Sequence, residues 1–270
     1  VEAERYEDLA ELAESIADEN FTDGKTDLEL ILRKKGINLV TGHYESYFTG
    51  TLYHKAKEFT VFLNMDDLEE NKIPRIRFTI AHELGHYFID EHRNLLRSGT
   101  SISFNASHNC ELNEREANHF ASFLLMPTKK FLAVAFSIEQ GLPAILQLAT
   151  QFESSIESTS IHYLKLDCCN GLLIRWKEDN SVQFHLCSAT FGHQIGSGRK
   201  PVIQLAPAYI NLLKAQLDNP DNEYHVVENA TNLSHWLPHI GAGSSLDRPA
   251  LEQTIRLGNY GGITLITIHS

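Results

Sequence analysis

His82 and His86 stand four residues apart in a run that is otherwise largely apolar: Ile76, Phe78, Ile80, Ala81, Leu84, Phe88 and Ile89. Such a run reads as a half-buried helix, and on a helix positions i and i+4 project from one face about a turn apart. Polar groups buried there need partners, or the desolvation cost excludes them. A metal ion is such a partner, and the spacing suits two imidazole nitrogens on one zinc. Glu83 lies beside them and can act as general base. Zinc would lower the pKa of a water molecule from about 16 to roughly 7. An ordinary pair of packed histidines is the competing reading, and the apolar context weighs against it.

A zinc hydrolase of this type needs a third protein ligand and an open position. His92 is six residues beyond His86, where the HExxHxxGxxH pattern places a third histidine. The glycine of that pattern is replaced here by Ile89, so the sequence predicts no chain reversal and a solvent-side His92. The alternative lies on a second predicted helix, Asn113–Met126. There Glu114, Ala117, Asn118 and Ala121 share a face, and the small alanines permit close helix approach. Glu114 is favoured over Glu116, because Asn113 and Glu116 resemble a capping arrangement. Asn118, one turn beyond Glu114, is placed to orient a ligand imidazole.

Length and charge bound the rest. The 270 residues suffice for one large domain or two to three small ones. No stretch approaches 18 apolar residues, which excludes a membrane span. The acidic N-terminus has no basic or apolar leader pattern, so no signal peptide is expected. Four cysteines, Cys110, Cys168, Cys169 and Cys187, form no CxxC and point to a cytoplasmic setting. Cys168 and Cys169 read as buried, hydrophobe-like residues on a strand. The net charge of −12 argues against nucleic acid as the main partner. Residues 1–127 hold 23 acids and 13 bases, net −10, against 12 and 10, net −2, in 128–270.

Read for organisation, residues 5–36 form two amphipathic helices broken at 21–24, with Thr26-Asp27 as a cap signal. Residues 37–64 alternate as a small antiparallel sheet. Pro74 can open the helix that carries His82 and His86. A polar loop over about 98–109 follows. Residues 128–166 are helical, interrupted at 141–143. Beyond 167 strands return at Leu172–Trp176, Val182–Cys187, Glu252–Leu257 and Ile263–His269, with a helix over Ala208–Leu217. The class is therefore α+β, with boundaries near 128 and 168: 1–127, 128–167 and 168–270.

The two blocks Arg77–His86 and Glu114–Pro127, in this order and separation, resemble the ImmA/IrrE family of zinc peptidases. The resemblance covers about residues 5–166. It implies a gluzincin-like peptidase fold for 1–127, with His82, His86 and the second-block glutamate as zinc ligands and Glu83 as catalytic acid/base. It also implies a helix-turn-helix repressor of the Xre type as protein substrate, cleaved in a stress response or mobile-element control. Manganese or iron could replace zinc in such a site. Thr60–Leu63, the strand before the helix, is expected to bind extended substrate by β-addition. Tyr87, His119, Tyr53 and His54 are the available oxyanion donors, each with a packing role as the stronger alternative.

Residues 143–166 resemble a helix-turn-helix. Within 128–166 three lysines face three glutamates, a poor balance for phosphate contacts, so direct DNA binding is disfavoured. The 168–270 part shows no catalytic spacing of its histidines. Its glycine loop, Gly192–Gly198, lacks the Lys-Ser/Thr of a phosphate cradle, and the family resemblance suggests a sensor-like or regulatory domain. Two rival functions remain from other classes: an anti-repressor that holds its target without cutting it, and a DNA-binding regulator. The presence of Glu83 favours cleavage.

Overall fold

The computed structural model describes residues 2–45, 47–66, 73–99, 108–195, 225–237 and 245–268, with positions 240 and 243. The expected helix over Ala208–Leu217 and most of the 98–109 loop lie outside the described residues. The chain forms two compact units, Val1–Phe131 with Leu148–Ser155, and Leu132–Gln147 with Ile156–Ser270. Both mix helices with sheet, so the class is α+β.

In the first unit, α1 (Glu2–Asp18) buries Leu9, Ala13 and Ala17 at helical spacing. A minimal hairpin, β1 (Phe21–Thr22) with β2 (Lys25–Thr26), turns through Asp23 and Gly24, whose φ values of 51° and 82° suit a two-residue loop. The cap signal then operates: the Leu30 N–H donates to Asp27 Oδ1 at 2.8 Å and opens α2 (Leu28–Lys35). Gly36, at φ 64°, ends that helix.

The sheet that follows holds β3 (Ile37–Gly42), β4 (Gly50–Lys55) and β5 (Glu58–Asn64), in the order β3-β5-β4. The β4–β5 pair is antiparallel, as expected, but β3 pairs with β5 in parallel. The sheet is thus mixed rather than antiparallel. The same pairing corrects the expectation for Thr60–Leu63. This segment is the central strand, its hydrogen-bonding groups taken on both sides, and it cannot receive another strand.

Phe59, Val61 and Leu63 of β5 alternate inward beneath α3 (Ile73–Phe88), which starts at Ile73-Pro74 as the proline signal implied. The chain breaks at Ile89, which is extended (φ −73°, ψ 113°), and resumes as α4 (Asp90–Arg97). The second motif helix, α5 (His108–Leu125), begins five residues earlier than expected. It packs on α3 and α1 through Ala117, Phe120, Ala121 and Leu124, all fully buried. Pro127 precedes α6 (Thr128–Ala135).

Helix α7 (Leu142–Phe152) supplies its first half to the second unit and its second half to the first. In the second unit, α8 (Ile156–Lys165) packs on a five-stranded antiparallel sheet. Its strands are β6 (Gly171–Trp176), β7 (Val182–Cys187), β8 (Val227–Asn232), β9 (Pro249–Arg256) and β10 (Gly262–Thr267), in the order β7-β6-β10-β9-β8. Leu172, Ile174, Trp176 and Ile266 join Phe191, Trp236 and Leu237 in one core. Thr159, Ser160, His162, Tyr163 and Leu164 of α8 are buried. Arg175 donates to Glu157 Oε2 at 2.7 Å and ties α8 to β6. The buried face of this helix is therefore taken up by the sheet. Cys168 and Cys169 are buried as expected, but in the turn before β6 rather than on a strand.

Candidate metal centre

Helix α3 brings His82, Glu83 and His86 to one end of the α3–α5 contact, and α5 brings Glu114. His82 Nε2 lies 3.1 Å from His86 Nε2 and 3.1 Å from Glu114 Oε2. Glu114 Oε1 lies 3.5 Å from His86 Nε2. These residues each offer a ligand atom within 4.8 Å of the others, and among the described residues they form the metal-compatible group. A tetrahedral zinc with bonds of about 2.0–2.1 Å would hold its ligand atoms roughly 3.3 Å apart, so the spacing fits. The orphaned atoms fit as well. Glu114 Oε1 and Glu83 Oε2 are buried with no hydrogen-bond partner, which a cation and its water would relieve.

The helices approach closely because Gly85 has no side chain. A Cβ there would stand 3.2 Å from both the Cα and the carbonyl oxygen of Ala117. Asn118, one turn from Glu114 on the same face, has its Oδ1 2.9 Å from His82 Nδ1. That leaves Nε2 of His82 directed into the cluster, as the sequence suggested. Glu116 stays out of the cluster. It pairs with Arg5 through two contacts of 3.0 Å and lies 3.2 Å from His92.

His92 requires a correction. It is 1% exposed, not solvent-facing, and its Nδ1 lies 3.2 Å from His86 Nδ1. The chain does turn at Ile89 without a glycine, because an extended φ, ψ needs none. The turn carries His92 to the outer nitrogen of His86, the side away from the cluster.

Glu83 is 3% exposed. Burial pushes its carboxyl above the ordinary range, against the pull of His86 and His82, while the Leu52 N–H of β4 donates to it. Burial also opposes charge on Glu114, but the His82 and His86 imidazoles beside it outweigh burial and hold that carboxyl well below the usual range. The two carboxyls are thereby shifted in opposite directions, Glu83 toward its protonated form and Glu114 toward its ionised form. Bare backbone passes over Glu83 at Gly50, where a Cβ would meet Thr79 Cγ2 at 2.2 Å and Glu83 Oε1 at 3.5 Å. Nothing in the local pattern had singled out Gly50, Leu52 or Arg5.

The four oxyanion candidates all have packing partners. His119 Nε2 donates to the Tyr6 carbonyl at 2.9 Å, and its ring meets Tyr6 edge-on. His54 and Tyr87 pack on Phe59. Tyr53 is half exposed and faces Phe62.

A solved structure of a Mycobacterium tuberculosis transcriptional regulator shares the fold, with a TM-score of 0.60 at 15% identity over 97% of this chain and 76% of that one. No curated protein matches the chain. Among the described residues no helix is long and apolar enough to cross a membrane. The family model of the IrrE N-terminal-like domain, Peptidase M78, matches residues 52–162, which span β4, β5, α3 and α5. Residues 52–162 of this chain therefore match the IrrE N-terminal-like domain of the ImmA/IrrE peptidase family.

Proposed function

We propose that this chain is a zinc-dependent endopeptidase that cleaves a helix-turn-helix repressor of the Xre type and so relieves repression. The observation that carries the reading is the convergence of His82, His86 and Glu114 beside the buried, unpartnered oxygen of Glu83. His82, His86 and Glu114 would hold the ion, with zinc favoured and manganese or iron able to substitute. The bound ion supplies Lewis acidity, polarising the scissile carbonyl and lowering the pKa of a water molecule. Glu83 Oε2 takes the proton of the attacking water and returns it to the departing amine nitrogen. The Leu52 N–H holds the Glu83 carboxyl in place during both transfers. Asn118 keeps His82 turned inward.

Residues 1–127 would form the peptidase domain, 128–167 a helical segment and 168–270 a regulatory domain, in a cytoplasmic protein. The fold shared with a transcriptional regulator is in keeping with a role in gene control. Ten of the twelve net negative charges lie in 1–127, which suits a basic, DNA-binding protein substrate.

Incubation of zinc-loaded protein with the Xre-type repressor encoded nearest to its gene is the test, alongside Glu83→Gln. Two fragments with wild type and intact repressor with the variant are expected. Intact repressor in both reactions, with operator release in both, would replace cleavage by simple capture. Capture itself should weaken steeply with salt, and salt-insensitive binding would remove the electrostatic argument.

A further inference from the structure

We infer that His92, backed by Glu116 and Arg5, is a positioning residue that sets the tautomer and ring orientation of His86. The inference rests on the metal-site reading above. The two ring nitrogens of His86 face different surroundings. Nε2 points into the cluster, 3.1 Å from His82 Nε2 and 3.5 Å from Glu114 Oε1. A metal there takes the Nε2 lone pair, so the ring proton must sit on Nδ1 and be donated outward. In a ring that is 2% exposed, water does not provide the acceptor. His92 Nδ1, 3.2 Å away, does.

Two facing imidazole nitrogens share only one proton, so the direction of this contact has to be set from outside. The chain behind His92 sets it. Arg5 can only donate, and its Nε and one terminal nitrogen each reach an oxygen of Glu116 at 3.0 Å. Both oxygens of the Glu116 carboxylate accept from Arg5 in this bidentate pairing, so toward His92 it acts as an acceptor. Glu116 Oε2 lies 3.2 Å from His92 Nε2; the contact is not aligned as a hydrogen bond, and the nearness of the carboxylate charge is what favours the N–H on that otherwise unpartnered nitrogen. His92 Nδ1 is then left with a lone pair, which accepts from His86 Nδ1–H. His86 Nε2 is left with its own lone pair, aimed at the cluster. The polarity runs in one direction from the N-terminal helix to the metal ligand.

His82 achieves the same result more simply, through the Asn118 amide oxygen at 2.9 Å. His86 faces the α3–α4 break instead, and the imidazole delivered by that break serves in place of an amide. A histidine kept only to fill space would be replaceable by phenylalanine. One kept as an acceptor would be replaceable by asparagine, whose Oδ1 occupies the place of Nδ1.

The test is zinc affinity by chelator competition on the full chain, for wild type, His92→Phe and His92→Asn. Circular dichroism and the Tm of the metal-free proteins serve as fold controls. His92→Phe is expected to weaken zinc binding about 10- to 100-fold, the usual loss when a ligand's outer partner is removed, and His92→Asn to recover most of it. Long-range nitrogen NMR of the zinc-loaded wild type should show His92 as the Nε2–H tautomer. Equal affinity of wild type and the Phe variant, or an Asn variant that folds yet binds as poorly as Phe, would overturn the inference while leaving the metal site intact. Wild type taking up less than half an equivalent of zinc would overturn the site reading and this inference with it. The Nδ1–H tautomer of His92 would overturn the inference alone.

Discussion

Gly85 on α3 lies against Ala117 on α5 so closely that a Cβ at 85 would stand 3.2 Å from the Ala117 Cα and carbonyl oxygen. Backbone cannot step aside as a side-chain tip can, so a larger residue must push the helices apart. Those helices carry the histidines and Glu114 respectively. Gly85→Val should cost about 1–3 kcal/mol from overpacking. It should also weaken zinc binding by widening the gap to Glu114. Thermal denaturation and chelator competition would measure the two effects. An unchanged zinc affinity in a folded variant would break the proposed link between helix spacing and the site.

Gly50 and Thr79 make a second constraint that can be tested in pairs. The virtual Cβ at 50 meets Thr79 Cγ2 at 2.2 Å, while Glu83 Oε1 is 3.5 Å away. Gly50→Ala is expected to cost about 1–3 kcal/mol, and the same change in a Thr79→Ser background much less, since serine lacks that methyl. Urea unfolding of the four proteins in the cycle would show a coupling energy near zero if the clash is unimportant.

The buried thiols predict the alkaline behaviour of the second unit. Burial pushes Cys168 and Cys169 each up to about 12. The folded values are raised, so their contribution is fully present below the unfolded thiol pKa of about 8.5. It is lost as pH rises toward 12, at about 1.4 kcal/mol per pH unit for each thiol. Denaturant titrations at pH 8 and 10 should show this slope, reduced in a Cys168→Ala, Cys169→Ala variant. At pH 8 the folded protein should leave both thiols unalkylated by iodoacetamide for hours. Rapid modification of either, located by peptide mass, would contradict the burial.

Within the second sheet, Trp176 Nε1 donates to Thr264 Oγ1 at 2.9 Å, and Thr254 Oγ1 lies 2.9 Å from the same hydroxyl. All three side chains are buried. Thr264→Val keeps the shape but leaves the indole N–H and the Thr254 hydroxyl without this partner. About 1–3 kcal/mol of lost stability is expected from such an orphaned donor. A Tm within a degree of wild type would show that other partners take over.

Local chemistry was legible along the chain. The cap at Asp27, the proline start of α3, and the neighbouring strands Leu172–Trp176 and Val182–Cys187 each depend on a few nearby residues. The sheet of the first unit was less so. Strand propensity marks β3, β4 and β5, but parallel pairing of β3 with β5 is a long-range event, and it decides which strands are edges. Periodicity alone therefore misplaced the free edge at β5.

The candidate site divides along the same line. His82, Glu83 and His86 could be identified from the sequence because helical spacing is a property of four successive residues. Glu114 and Asn118 were favoured because they share a helix face with small alanines. Only the tertiary structure decided that Glu114 enters the cluster while Glu116 turns to Arg5, 111 residues away. It also decided that His92 faces inward, since an extended Ile89 redirects the chain without any glycine to announce it. Spacing along one helix is dictated by backbone geometry. Which side chain meets which across two helices depends on how closely and at what rotation they pack, and here that depends on Gly85 against Ala117.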